Sequence, residues 1–441
     1  MRLTMAINNC IFLPLQLPSS LKSKDYIQSS NVVLRNNKQS QKFKFKTIST
    51  NSSNIHKATM ASLRSSDSKN HFTIGVTPGA HPEHLVVLVN GIIGSAENWR
   101  FAAEQFKLKL ADTVLIHCSA SNSALKTFHG VDVMGHRLAK EVQSVIREIP
   151  GVTKISFLAH SLGGLIARYA IGQLYNPPNE TNVLENEDNN TSHKEDDDVD
   201  GDQQGEYNKP HLKNLPQAST SYGTMAGLEP ANFITVATPH LGSRGSRQLP
   251  FLLGLAPFEK IAPLVAHWFV GKTGRHLFLT DGDSNHLPLL RRMVTDCDEG
   301  KFISALRAFR QRTLYANVLY DYMVGWQTSS IRRASEMPQI KHEPISPNYP
   351  HIVRDEELPP CSISLPSTSN MYEGGRCIGR NFNIFEEEMV SGLQQVSWRR
   401  VDVSFVGATS RFLAHNTIQV KTSTFHREGA DVIYHILDNH F

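Results

Sequence analysis

Three residue types that together can carry out nucleophilic attack on a carbonyl occur in suitable settings. The first is Ser161, in Ala159-His160-Ser161-Leu162-Gly163. Small-x-Ser-x-Gly between a strand and a helix is a sharp turn that lifts the serine hydroxyl off the end of a sheet. The alternative reading of Ser161 is a buried helix N-cap. The second is Asp321, which follows the apolar run Thr313–Val318 in Leu319-Tyr320-Asp321-Tyr322-Met323-Val324. A carboxylate there suits the task of orienting an imidazole and stabilising its charged form. Its rivals are Asp281, Asp283 and Asp402; the last lies in the alternating run Val401-Asp402-Val403-Ser404-Phe405 and reads as structural. The third is His415, in the loop after the final strand-like run, with His426 and His435 as runners-up. His240, in Thr238-Pro239-His240-Leu241-Gly242, precedes the acid and reads as a pocket-lining residue rather than the base.

Attack on a carbonyl also needs backbone N–H groups aimed at the developing oxyanion. The candidates are the amides of Ile92 and Leu162. Leu162 follows the serine at the start of a helix, where the dipole favours negative charge. Ile92 lies in Asn90-Gly91-Ile92-Ile93-Gly94-Ser95, a glycine-bearing turn after an apolar strand. The sequence does not choose among Gly91, Ile92 and Ile93.

The elements that must position these groups can be read from periodicity. Ile155–Ala159 is a short apolar run of strand type, and Leu162, Leu165, Ile166, Tyr169, Ala170 and Leu174 recur at helical spacing. His84–Asn90, Thr113–Ser119, Asn232–Pro239, Thr313–Val318 and Trp398–Val406 read as further strands, the first and fourth ending at the oxyanion turn and the acid. Helices are expected from Ser95 to Leu110, Gly130 to Glu148 and Ala430 to Asn439. Strands alternating with helices of this length indicate a parallel sheet.

Three segments break the pattern. Residues 176–230 stop the helix with Asn-Pro-Pro and then turn strongly acidic, so they read as a disordered insertion. The segment 245–312 contains Leu249–Gly271, the most apolar long stretch; its prolines argue against a membrane span. It reads as a lid over an apolar pocket, with core helices as the competing reading. Residues 330–385 read as an irregular excursion on the same rim of the sheet.

Composition narrows the rest. The chain has 441 residues and a formal net charge of +4, but this averages unlike parts. Residues 1–66 hold ten Lys or Arg and one acid, whereas 180–206 hold eleven acids and one Lys. Without them the rest of the chain holds 34 Lys or Arg and 29 acids, a mild excess with no concentrated basic run, and no nucleic-acid partner is expected. The first 66 residues, basic and rich in Ser and Asn, read as an organelle transit peptide or tail, leaning to a plastid. A start at Met60 would instead leave a cytoplasmic product. Five scattered cysteines form no CxxC pair, and the 20 histidines show no HExxH, so no disulfide framework, metal or cofactor is expected.

The assembled blocks resemble the α/β-hydrolase superfamily, and more narrowly the putative serine esterase, lipase-like family of plants and fungi. The residues carrying the likeness are LVVLVNGIIGSAENW near 86–99, AHSLGGLIARYAIG at 159–172 and ITVATPHLGSRG at 234–245. TGRHLFLTD at 273–281, the YANVLYDYMVGWQTSSIR region near 315–332 and AHNTIQVK at 414–421 add to it. The likeness spans most of 84–441. Ala159 departs from the usual first glycine, and Asn90-Gly91 from the usual His-Gly. The resemblance implies an α/β fold over 72–441, a mostly parallel central sheet with helices on both faces and a lid or cap insertion. It implies a serine carboxylester hydrolase acting on acyl lipids through Ser161, His415 and Asp321, with contact to a membrane or lipid-droplet surface. An acyltransferase on the same fold and a non-catalytic receptor are the alternatives.

Overall fold

The computed structural model describes residues 72–74, 81–110, 112–178, 222–243, 271–339, 341–361 and 382–441. All lie in one compact unit, Thr59–Phe441. The proposed leader (1–66), most of the acidic insertion and the apolar stretch 249–270 lie outside the described residues.

Eight strands form the main sheet: β1 (Phe72–Ile74), β2 (His84–Val89), β3 (Val114–Cys118), β4 (Lys154–His160), β5 (Glu229–Val236), β6 (Gln311–Asn317), β7 (Ile352–Leu358) and β8 (Trp398–Val403). Their order is β1-β3-β2-β4-β5-β6-β8-β7. The six inner strands are parallel, while β1 and β7 pair antiparallel at the edges. Register aligns the carboxyl ends: Leu88 faces both Cys118 and Leu158, His160 faces Val236, and Asn317 faces Val403.

Alternation along the strands feeds two cores. Leu85, Val87, Val89, Ile155, Phe157 and Ala159 face one side, where α2 (Val131–Glu148), α3 (Leu162–Leu174), α4 (Phe302–Ala308) and α5 (Phe382–Leu393) pack. Val86, Leu88 and Leu158 face the other, covered by α1 (Arg100–Leu110) and α6 (Ala430–His440). Burial on both faces explains why the inner strands are continuously apolar rather than alternating. Burying each such Val or Leu stabilises the fold by roughly 1.5–3 kcal/mol. This is the α/β-hydrolase fold.

The irregular segments differ from expectation at three places. Residues 330–385 are not structureless: β7 adds an antiparallel edge strand, and α5 begins at Phe382. The base of the acidic insertion is a short hairpin pairing Tyr175 with Met225 and Asn176 with Thr224, and β5 already starts at Glu229. Within the expected lid, the described part is core. Leu277, Leu289, Leu290, Met293, Phe302 and Leu306 are all buried on the α3 side of the sheet.

Candidate active site

β4 runs into α3 through Ser161, whose φ of 56° and ψ of −129° place a non-glycine residue in a sparsely populated region. Such a conformation costs of order 1–3 kcal/mol and persists only where its surroundings fix it. Here the Ser161 amide donates to the Val236 carbonyl at 2.8 Å, and the Gly164 amide closes the turn on the Ser161 carbonyl at 3.0 Å. The glycines that follow are dictated by space. A Cβ on Gly163 would lie 2.5 Å from the Val89 carbonyl oxygen, and one on Gly164 would lie 2.2 Å from Thr238 Oγ1. The start of α3 therefore presses against the ends of β2 and β5.

Asp321 follows β6 at the same end of the sheet. Its Oδ1 accepts from the amides of Met323 (3.0 Å) and Val324 (2.8 Å), and its Oδ2 accepts from Asn317 Nδ2 at 2.9 Å. These donors fix the carboxylate plane. His415 sits in the short turn Ala414–Thr417 beyond β8. Its Nδ1 donates to Asp321 Oδ2 at 3.0 Å, and its Nε2 lies 2.9 Å from Ser161 Oγ. With Nδ1 protonated toward the carboxylate, Nε2 carries the lone pair and can accept a hydrogen bond from the Ser161 hydroxyl. All three side chains are buried. The structure thus brings together the three residues singled out in the sequence.

The two oxyanion candidates flank the serine. Leu162 is the first residue of α3, where a helix leaves its N–H without an intrahelical acceptor. The 90–95 turn touches the serine directly, since a Cβ on Gly91 would lie 2.9 Å from Ser161 Cβ. Ile93 is removed from contention because its amide donates to Thr127 Oγ1 at 3.0 Å. Asn90 Nδ2 donates to the Gly91 and Asn122 carbonyls, so the residue at the usual histidine position ties the turn to the 119–130 loop.

The rivals are occupied elsewhere. Asp402 is fully buried and accepts from Arg332 (2.8 Å) and Trp326 Nε1 (2.7 Å). Asp281 accepts from the Leu289 amide, and Asp283 from Asn285 and His286 in its own exposed loop. His426 bonds Thr422, and His435 bonds the buried Tyr315 hydroxyl. His240 is fully buried, bonded to Thr235 and packed against Trp398.

One residue of the site had no role assigned from sequence. His160 Nε2 donates to the His415 carbonyl at 2.7 Å, with the two rings 4.7 Å apart. Burial, reinforced by the charge His415 can carry, holds its pKa well below 6.5, so it is a neutral strut beneath His415. Its partner is a backbone carbonyl 255 residues away, which no sequence pattern signals.

Comparison with known proteins supplies the family. Residues 80–331 match the family described as Putative serine esterase (DUF676), a span reaching from β2 through Ser161 and Asp321. Putative lipase C4A8.10 of Schizosaccharomyces pombe is 25% identical over 264 residues, 57% of this chain and 26% of that protein. Putative lipase YDL109C of Saccharomyces cerevisiae is 26% identical over 253 residues, 56% of this chain and 30% of that protein. The chain thus spans less than a third of the length of these two curated relatives. Among solved structures, mature Bacillus licheniformis lipase BlEst2 is 14% identical over 56% of this chain and 71% of its own, with a TM-score of 0.28. The family match covers more than half of the sequence and contains the strand–serine–helix unit described above, and the chain belongs to the DUF676 putative serine esterase family.

Proposed function

We propose that the protein is a serine carboxylester hydrolase that acts on acyl lipids. The observation that carries this reading is the continuous line Asp321–His415–Ser161, with hydrogen bonds of 3.0 and 2.9 Å. Ser161 Oγ attacks the ester carbonyl as His415 Nε2 takes its proton, giving a tetrahedral oxyanion held by the amides of Ile92 and Leu162. His415 returns the proton to the leaving alcohol, and the acyl-enzyme remains. Water, deprotonated by the same imidazole, then attacks the acyl-enzyme and releases the acid. Asp321 holds the imidazole tautomer throughout.

Two observations support an acyl-lipid substrate. The fungal relatives carry the name putative lipase. Ile93, Leu319, Phe412 and Leu413 are exposed, each one to three residues from Ile92, Asp321 or His415. Exposed apolar side chains so near these residues in the chain suit an acyl chain and contact with a lipid surface. The test is hydrolysis of an ester series from p-nitrophenyl butyrate to long-chain glycerolipid, with Ser161→Ala as control. Ser161-dependent turnover that rises on aggregated long-chain substrate is expected. Turnover confined to short soluble esters would remove the lipid assignment, and none on any ester would remove the hydrolase.

A further inference from the structure

We propose that Thr127 is a positioning residue for the oxyanion turn, holding Ile93 in a strained conformation so that the Ile92 amide faces the serine. The inference rests on the hydrolase reading above and assigns a role to a sequence block that reading leaves unused.

Ile93 has a φ of 53°. For a β-branched residue the left-handed region is a genuine outlier, because the side chain crowds its own backbone. Ile93 is also partly exposed, so packing alone does not impose the conformation. What fixes it is hydrogen bonding from both sides. The Ile93 amide donates to Thr127 Oγ1 at 3.0 Å, and Thr127 Oγ1 donates to the Ala124 carbonyl at 2.6 Å. The neighbouring Gly94 amide donates to the Gly91 carbonyl, and the Gly94 carbonyl accepts from the Ala124 amide at 2.9 Å. Thr127 is fully buried, so its hydroxyl is fixed between one donor and one acceptor.

Thr127 is in turn held from the 273–281 block. Thr273 Oγ1 donates to the Thr127 carbonyl at 2.8 Å and accepts from the Gly130 amide at 3.0 Å. His276 Nδ1 accepts from the Val131 amide at 3.0 Å. A chain of hydrogen bonds therefore runs from Thr273, through Thr127, to the peptide that joins Ile92 and Ile93, while His276 pins the Val131 amide just beyond the same loop. This accounts for the Thr and His of TGRHLFLTD by geometry.

The test compares Thr127→Val, which keeps the shape and removes the acceptor, with Thr127→Ser, which restores it. Rates are taken on p-nitrophenyl butyrate, per molecule titrated with a fluorophosphonate. For Thr127→Val we expect kcat to fall about 10- to 100-fold, less than the 10²–10³ for deleting a donor outright, because the amide is misplaced rather than lost. KM should stay within about twofold. Affinity for a trifluoromethyl ketone, whose adduct places an oxyanion in the hole, should fall in step with kcat/KM, and Thr127→Ser should recover most of both. Replacing Ile93 by Gly, which adopts positive φ freely, should make the Thr127→Val loss smaller. If the valine variant does not fold, Thr127→Ala takes its place. A valine or alanine variant with wild-type kcat/KM would overturn the proposal. So would a rate loss that leaves ketone affinity unchanged. Loss of Ser161-dependent hydrolysis in the wild type would instead overturn the hydrolase reading, so the two failures are distinct.

Discussion

Substituting Gly163 by Ala tests how tightly the site is assembled. An added Cβ would lie 2.5 Å from the Val89 carbonyl oxygen, 2.7 Å from that of Asn90 and 3.0 Å from the Asn90 carbonyl carbon, where ordinary contact begins at 3.4 Å. The shortfall is about 0.9 Å, and every neighbour is backbone, so no side chain can swing away. The start of α3 must back off from the end of β2. Leu162 rides on the first and Ile92 follows the second, so the two amides move apart by most of that distance. A donor drawn from 2.9 Å to beyond 3.5 Å no longer makes a hydrogen bond. Losing one oxyanion donor costs about 10²- to 10³-fold in turnover. Overpacking of this kind also destabilises by about 1–3 kcal/mol, which leaves the protein folded. The assay is kcat on p-nitrophenyl butyrate, normalised by fluorophosphonate titration, beside a thermal melt. Folded Gly163→Ala with kcat within about threefold of wild type would refute the claim that this contact sets the donor spacing.

Two further outcomes follow from the same geometry. Asp321→Asn should keep the hydrogen-bonded shape but favour the wrong imidazole tautomer, lowering kcat by about 10³–10⁴ with KM little changed; a loss below tenfold would point to another acid. Stability should fall as pH drops below 6.5, because burial lowers His84 to about 4 and His440 to about 3, and holds His160 and His240 well below the ordinary value. The unfolded chain then takes up protons that the fold does not, at about 1.4 kcal/mol per pH unit for each such histidine. Glu141, lowered to about 2 by its bonds to His117 and Ser119, adds a loss in the same direction only below about pH 4.5. Melting temperatures from pH 7.5 to 5 check this, and a flat profile would contradict it.

Much of the site was legible in the sequence because its parts are local. The apolar run before Ser161, the helical spacing after it and the close-packed Gly163-Gly164 all act within one strand–turn–helix unit. Asp321 and His415 could be found because each follows a strand buried on both faces. The edges were harder. β7 reads Ile-Val-Arg-Asp-Glu-Glu-Leu, charged because it pairs on one side only, and so carries no continuous apolar run. The lid reading failed over 271–312 because short apolar helices look alike whether they cover a pocket or fill a core. Thr127 and His160 were missed for another reason: their partners are the Ile93 amide and the His415 carbonyl, backbone groups that every residue possesses.

The proposed function stands on Ser161 as the nucleophile of the Asp321–His415–Ser161 line. Incubation with a fluorophosphonate, followed by peptide mass spectrometry, tests it most directly. One phosphonyl adduct is expected, on the peptide holding Ser161, absent from Ser161→Ala and strongly slowed in His415→Gln, with ester hydrolysis lost in parallel. An adduct on another residue, with Ser161→Ala still hydrolysing esters at the wild-type rate, would contradict it.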